Sequence, residues 1–381
     1  MNEPDDGGRA ALRATAVAAI ALAGLLFSLT PLARYADDAL LDHEWRLLRK
    51  FDPRPAPDDI IIVGIDPASV SAIPEPPGLW HVPLGKALAR IASARPRAIG
   101  LDFALPERSF EAIHPGLDRA LFTGLAAAVQ NGPFVAVLSI DARTRSAKRI
   151  HTPFLALLGD SRLGIGLLAR DADGVTRRYS LLVPTDDGGF PTLAGRLCRA
   201  LSVQCTDGLI HYALGPPLRY VPLKDVLETS EPASLERLFR DRIVLIGETQ
   251  PFSDRITVPV NLAGWEPIEA DSPAVVVHAQ TLRTALLAAA PAEASRPLVV
   301  VLLSLAALLY LVRNGRKALA AGLTAAAVAF GGALVALRGG LYVPAAPILF
   351  TLLVAWGARA AVAFRAARRF PSRAPNIRHS R

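Results

Sequence analysis

Three acidic residues stand at the ends of three similar stretches. Asp66 follows the run Ile60–Ile65, IIIVGI. Asp102 lies in Ala98–Phe103, AIGLDF. Glu248 lies in Arg242–Thr249, RIVLIGET. In each, a short aliphatic run reaches a glycine and then an acid within two residues. Such runs, short and rich in β-branched residues, predict fully buried strands. Carboxylates at neighbouring strand ends repel unless a cation, an arginine or a polar ligand sits among them. One reading of Asp66, Asp102 and Glu248 is therefore a ligand or cation pocket. The other is that they cap the helices that follow, or pair with Arg177, Arg178 or Arg255, since acids at helix N-termini are favourable on their own account. The sequence leaves both open.

The other polar groups carry weaker signals. Asp171, Asp173, Arg177 and Arg178 share the stretch DADGVTRR. An Asp-rich turn beside paired arginines could hold a small anion, or be a solvated turn; the Ca²⁺-loop pattern is not met. His278 begins a helical pattern and changes charge near neutrality, or it is a hydrogen-bonded interior residue. His81 beside Trp80 is equally ambiguous. Ser69 and Ser253 follow strands, but neither sits in G-x-S-x-G. Walker and Rossmann glycine patterns are missing, so no cofactor and no enzymatic activity are expected. Cys198 and Cys205 lack metal-ligand spacing. A disulfide between them is geometrically possible, as are two ordinary small apolar residues.

These groups need elements to position them. Helical spacing separates the acid-ended runs, as in Leu84–Ala94 and Leu117–Gln130, so the strands are expected to be parallel, with their carboxyl ends on one edge. That edge is where open α/β sheets bind ligands. Phe134–Ile140 reads as a further strand. Leu163–Ala169, the Asp171–Gly174 turn and Thr176–Val183 read as a hairpin. The expected class is α/β, a mixed and largely parallel sheet flanked by helices.

Charge is distributed unevenly along the 381 residues. The chain carries +8 overall, yet residues 296–381 hold twelve Lys+Arg and no acid, residues 1–34 are neutral, and 35–295 is left with −4. An acidic central region without a basic stripe argues against nucleic acid. The basic residues flank apolar stretches instead. Four are read as transmembrane helices, one N-terminal (14–33) and three C-terminal (297–312, 318–337, 339–358), against the ~20 residues a span needs. The first lacks a small-x-small cleavage site and reads as a retained span rather than a signal peptide. Arginines and Lys317 at 313–317 and along 365–381 put both termini in the cytoplasm by the positive-inside rule. Residues 35–295 then lie outside, where a disulfide is permitted. Gly331-Gly332 and the small residues around it read either as close packing against a neighbouring span or a second subunit, hence a possible homodimer, or as a lipid-facing alanine-rich helix.

The order of features resembles the CHASE domain of the second type, an extracytoplasmic sensory domain of bacterial transmembrane receptors. The resemblance rests on VGID, GLDF, DADGVTRR, IVLIGET and VVVHAQTLRTALL in sequence, with one span before and three after, over roughly 35–364. It implies a sensor of an unidentified small-molecule ligand, usually joined to a cyclase, a kinase or a diguanylate cyclase. Three departures stand out. About seventeen residues (365–381), a stretch basic overall, follow Phe364, too few for an output domain, so signalling is expected to pass to a separate cytoplasmic or membrane partner. Trp80-His81-Val82-Pro83 lacks the second aromatic of the family's stretch. Val276-Val277 precede His278 where an acid is common. The resulting expectation is a multi-pass protein of the bacterial inner membrane whose outer domain, 35–295, senses a signal. The rival expectations are a structural or assembly envelope protein and a receptor remnant without a ligand site.

Overall fold

The computed structural model describes residues 6–369, apart from 142, 144, 145, 187 and 267–270. The chain divides into two compact units, residues 45–291 and residues 1–44 with 292–381.

The first unit is built on a six-stranded sheet of β1 (Ile60–Ile65), β2 (Ala98–Asp102), β3 (Phe134–Leu138), β4 (Leu163–Ile165), β5 (Tyr220–Pro222) and β6 (Ile243–Glu248). The spatial order is β4-β3-β2-β6-β1-β5, and every neighbouring pair is parallel. The sheet is thus wholly parallel rather than mixed; among the described strands, antiparallel pairs form separate two-stranded ribbons. Strands β2 and β3 are buried along their whole length, as their unbroken apolar runs require.

Helices cover both faces. One face takes α4 (His81–Ser93), α5 (Leu117–Asn131), α6 (Thr152–Leu158), α8 (Leu223–Glu228) and α9 (Pro232–Phe239), whose Leu84, Leu88, Leu121, Leu125, Leu223 and Phe239 share a core with Ile99 and Leu101. The other takes α7 (Leu193–Ala200) and α10 (Ala274–Leu286): a Cβ at Gly100 would meet Leu193 and Leu197, and one at Gly247 would meet Val275. The short α3 (Pro67–Ala72) follows β1.

The expected hairpin of 163–169 with 176–183 does not form. Leu163–Ile165 joins the main sheet, Arg178–Tyr179 pairs with Gly208–Leu209, and the actual hairpin is Leu182–Thr185 with Gly188–Pro191. The turn itself exists, closed by Gly174 N–H to Asp171 O and Asp171 N–H to Val175 O. A local turn signal fixes a reversal and leaves open which strands pair across it.

The second unit contains α1 (Asp6–Ser28), the first part of α2 (Pro31–Phe51), α11 (Arg296–Ala307), α12 (Gly315–Arg338) and α13 (Ala346–Arg369). Three helices are long and apolar enough to cross a membrane, Gly7–Ser28, Gly315–Arg338 and Ala346–Arg365, not the four expected. The expected span at 297–312 has twelve α-helical residues and a four-residue 3₁₀ turn. That is about 24–26 Å, against a hydrocarbon layer of ~30 Å. The first helix stops at Ser28, because Pro31 starts a new one. The last begins at Ala346, not 339, because Gly340 takes φ +87° and Leu341–Tyr342 pairs with Ala292–Glu293. A Cβ at Gly331 or Gly332 would meet nothing within 4 Å, so these glycines make no close helix crossing within the chain. Residues 370–381 of the basic tail lie outside the described residues.

Candidate functional site

Strand order brings Asp102, Glu248 and Asp66 to one edge, since β6 lies between β2 and β1 in register Gly247↔Asp102 and Ile65↔Glu248. Their side chains take different partners. Asp66 caps α3: its Oδ1 accepts from Ser69 N–H at 2.8 Å, and its Oδ2 accepts from Tyr220 O–H at 3.2 Å. Ser69 Oγ in turn accepts from Lys224 N–H at 3.1 Å. Glu248 accepts from the Ser253 hydroxyl. Only Asp102 is left incomplete, with Oδ2 buried and without a hydrogen-bond partner. Asp66 is thus a helix cap, as the capping reading expects.

Asp102 faces α10. Its Oδ1 lies 3.8 Å from His278 Nε2, beyond hydrogen-bond reach, while that same nitrogen donates to Gly166 O at 3.1 Å. Both residues are buried. Burial, reinforced by Glu248, pushes Asp102 up to about 7, and burial pushes His278 down to about 4. Desolvation therefore favours the neutral form of each group, and the contact is not an ion pair. Asp254 completes the cluster: burial and then Asp102 raise it to about 6, while Arg170 acts against them. It sits in the loop after β6 with φ +50°, a conformation Asp tolerates. The sequence reading missed Asp254. The available signal was an acid six residues beyond Glu248 in a loop leading back to the sheet edge.

Helix α10 is buried from Ala274 through Ala285. Its polar residues are held by the 211–216 turn: Gln280 Nε2 donates to His211 O at 2.6 Å and Leu214 O at 2.9 Å, Arg283 Nη1 donates to Pro216 O at 3.2 Å, and Thr284 Oγ1 accepts from His211 N–H at 3.1 Å. Thr281 Oγ1 is buried and unpartnered, and with His278 it lines a small cavity of about 140 Å³.

The turn cluster pairs its arginines with its own acids. Arg177 is fully buried and bonds Asp173 at 2.7 Å and Asp171 at 3.2 Å, and Arg178 bonds Asp171 at 2.8 Å. The Arg177 hydrogen bond holds Asp173 below the usual carboxylate range. Arg255 is bound to Glu266 at 2.6 Å. Cys198 and Cys205 are joined as a disulfide at the end of α7. Among the described residues, no group of three or more His, Cys, Asp or Glu is placed to hold a metal ion.

The sheet edge can take up or release a proton at Asp102 and Asp254. Compared with known proteins, the chain matches the family model of the CHASE2 domain over residues 16–313, which includes the whole 45–291 unit. Neither a curated protein nor a solved structure matches it. The chain belongs to the CHASE2 domain family, a family of extracellular sensory domains.

Proposed function

We propose that this protein is a membrane-anchored sensor in which residues 45–291 face the extracytoplasmic side, take a small-molecule signal and pass it through α10 to the apolar helices. The signal then reaches a separate signalling partner, with or without a second copy of the chain. The observation that carries this reading is the incomplete contact between Asp102 and His278. A buried acid with an unpartnered oxygen is costly, and here it abuts the helix that leads, through residues 287–295, into α11. A signal that moves the end of β2 changes what Asp102 offers α10. The orientation is supported by the twelve basic residues after 295 and the absence of acids there.

The test is deuterium exchange on the full chain in lipid nanodiscs. Cations, nucleotides, sugars, amino acids and small carboxylates are first screened for a rise in Tm, which any ligand of the native state must produce. A ligand that raises Tm should also change exchange in residues 274–286. A rise in Tm with unchanged exchange in that helix would remove α10 as the transmitting element.

A further inference from the structure

Opposite α10, on the α4/α5 face of the sheet, a cavity of about 520 Å³ opens between residues 77–84 and the 103–110 loop. Its size falls in the range of small-molecule sites, roughly 300–1,000 Å³. Trp80, Phe103 and Phe110 form aromatic walls, and Glu107 and Arg108 stand among its lining residues.

The walls are held in place from behind. Gly85 and Gly124 let α4 and α5 touch: a Cβ on Gly85 would come within 2.3 Å of Ala120 O, and one on Gly124 within 2.2 Å of Gly85 O. This contact sets His81, at the start of α4, 3.7 Å from Asp118 in the first turn of α5. Asp118 in turn anchors the loop, accepting from Ser109 Oγ at 2.6 Å and from Phe110 N–H at 3.2 Å. His151 N–H fixes Pro106 O at 2.7 Å.

Charge decides what the cavity suits. Glu107 is paired with Lys148 at 3.1 Å. Glu111 is occupied by the backbone N–H groups of Gly116, Asp118 and Arg119. Asp118 is occupied by the 109–110 loop, with His151 also 3.7 Å away. Burial, against the pull of Asp118, lowers the proton affinity of His81 and so favours the neutral imidazole. Arg108 is the charge left over: it is exposed and, among the described residues, has no ion-pair partner.

We propose that this cavity binds a small carboxylate with an aromatic body, its ring against Trp80, Phe103 and Phe110 and its carboxylate on Arg108. Guanidinium and carboxylate match in geometry as well as charge. The site also has a route to α10. Phe103 is the residue after Asp102, and successive residues of a strand point to opposite faces. A ring seated against Phe103 acts on the residue next to Asp102. The inference rests on the sensory reading for its meaning, and on the cavity alone for binding.

Binding is measured on the full chain in nanodiscs by equilibrium dialysis with benzoate, phenylacetate and indole-3-acetate, each beside its primary amide. At least one carboxylate should bind saturably and at least tenfold more tightly than its amide. Arg108→Gln should abolish that preference. Gly78 lies in a 3₁₀ turn lining the cavity, and a Cβ there meets nothing within 4 Å. Gly78→Leu adds bulk at the rim of the cavity and should weaken binding of both forms without lowering Tm. Absence of saturable binding by all three acids overturns the proposal, as does a preference that survives Arg108→Gln or binding that Gly78→Leu leaves unchanged. A carboxylate that binds here and leaves exchange in α10 unchanged overturns the transmission route and leaves this site standing.

Discussion

His278 Nε2 lies 3.8 Å from Asp102 Oδ1, and burial has moved the two groups' proton affinities the wrong way for an ion pair. The imidazole is held neutral well below its ordinary range, and the carboxyl keeps its proton close to neutrality. The contact between the sheet edge and α10 is therefore poised rather than locked. A locked pair would show a short charge-assisted bond, such as Arg177 makes with Asp173 at 2.7 Å.

A pH prediction follows with a definite sign. The folded-state pKa of Asp102, about 7, stands above its ordinary 3.8, so the native state binds a proton that the unfolded chain has lost. Its contribution to stability is greatest below about pH 4 and falls as pH rises towards 7. Asp254, raised to about 6, acts in the same direction. His278 and His211, both lowered to about 4, act oppositely between pH 4 and 6.5. These slopes oppose one another in the natural protein, and removing one exposes the others. Asn copies the protonated carboxyl, so Asp102→Asn should gain on the natural protein by roughly 2–4 kcal/mol between pH 4.5 and pH 8, given ~1.4 kcal/mol per pKa unit. Thermal unfolding of both proteins at the two pH values is the measurement. A difference that does not vary with pH would mean that Asp102 does not titrate in this range.

The crossing of α4 and α5 gives a second prediction. Any Cβ at Gly85 or Gly124 meets backbone atoms of the facing helix, which cannot rotate away. Gly85→Ala or Gly124→Ala should each destabilise the protein by roughly 1–3 kcal/mol through overpacking, even though alanine is the better helix former. Gly78→Ala, where there is room, serves as the control and should lie within about 0.5 kcal/mol of the natural protein. Equal Tm values for the three variants would contradict the close crossing.

Much of the fold was legible in the sequence. The unbroken runs Ile60–Ile65, Ala98–Asp102 and Ile243–Glu248 could be buried only as inner parallel strands, and the sheet places them side by side. The site was legible only in part. A sequence shows that three acids reach one edge, but not which of them finds a donor. Asp66 finds Ser69 N–H because Pro67 starts a helix directly after it, whereas Asp102 is followed by Phe103 and an irregular loop. Asp254 and the Asp118 anchor depend on loops returning from a distance, and no periodicity encodes that. The hairpin at 163–183 failed for a related reason: Leu163–Ile165 found a long-range partner in β3.

The disulfide offers a third test. Cys198 lies on α7, which packs on the sheet, and Cys205 closes a loop back onto its end. Closing so short a loop restricts the unfolded chain by about 2.5 kcal/mol in the entropy model. Cys198→Ala with Cys205→Ala should lower Tm by an amount matching roughly 1–3 kcal/mol. Mild reduction of the natural protein should give a similar loss. A double variant of unchanged Tm would show that the bridge adds nothing to the folded state.

The membrane arrangement gives the last test, and it turns on α11. With Gly7–Ser28, Gly315–Arg338 and Ala346–Arg365 as the only crossings, the basic loop at 313–317 would face the same side as residues 45–291, against the charge bias. The proposed orientation needs Arg296–Leu311 to bring the chain through, its flanking Arg296 and Arg313 reaching the two interfaces with their long side chains. That segment is short by about 4–6 Å, a mismatch that local thinning of the bilayer can absorb at a modest cost. Both native cysteines are bridged, so a single introduced cysteine is the reactive thiol. In intact cells a membrane-impermeant maleimide should label Asn131→Cys, in the sheet unit, directly. It should label Gly315→Cys, where a Cβ has open space, only after permeabilisation. Equal labelling of the two in intact cells would mean that α11 does not cross and that the charge rule is broken here. Labelling of Asn131→Cys only after permeabilisation would place residues 45–291 inside and remove the extracytoplasmic sensor altogether.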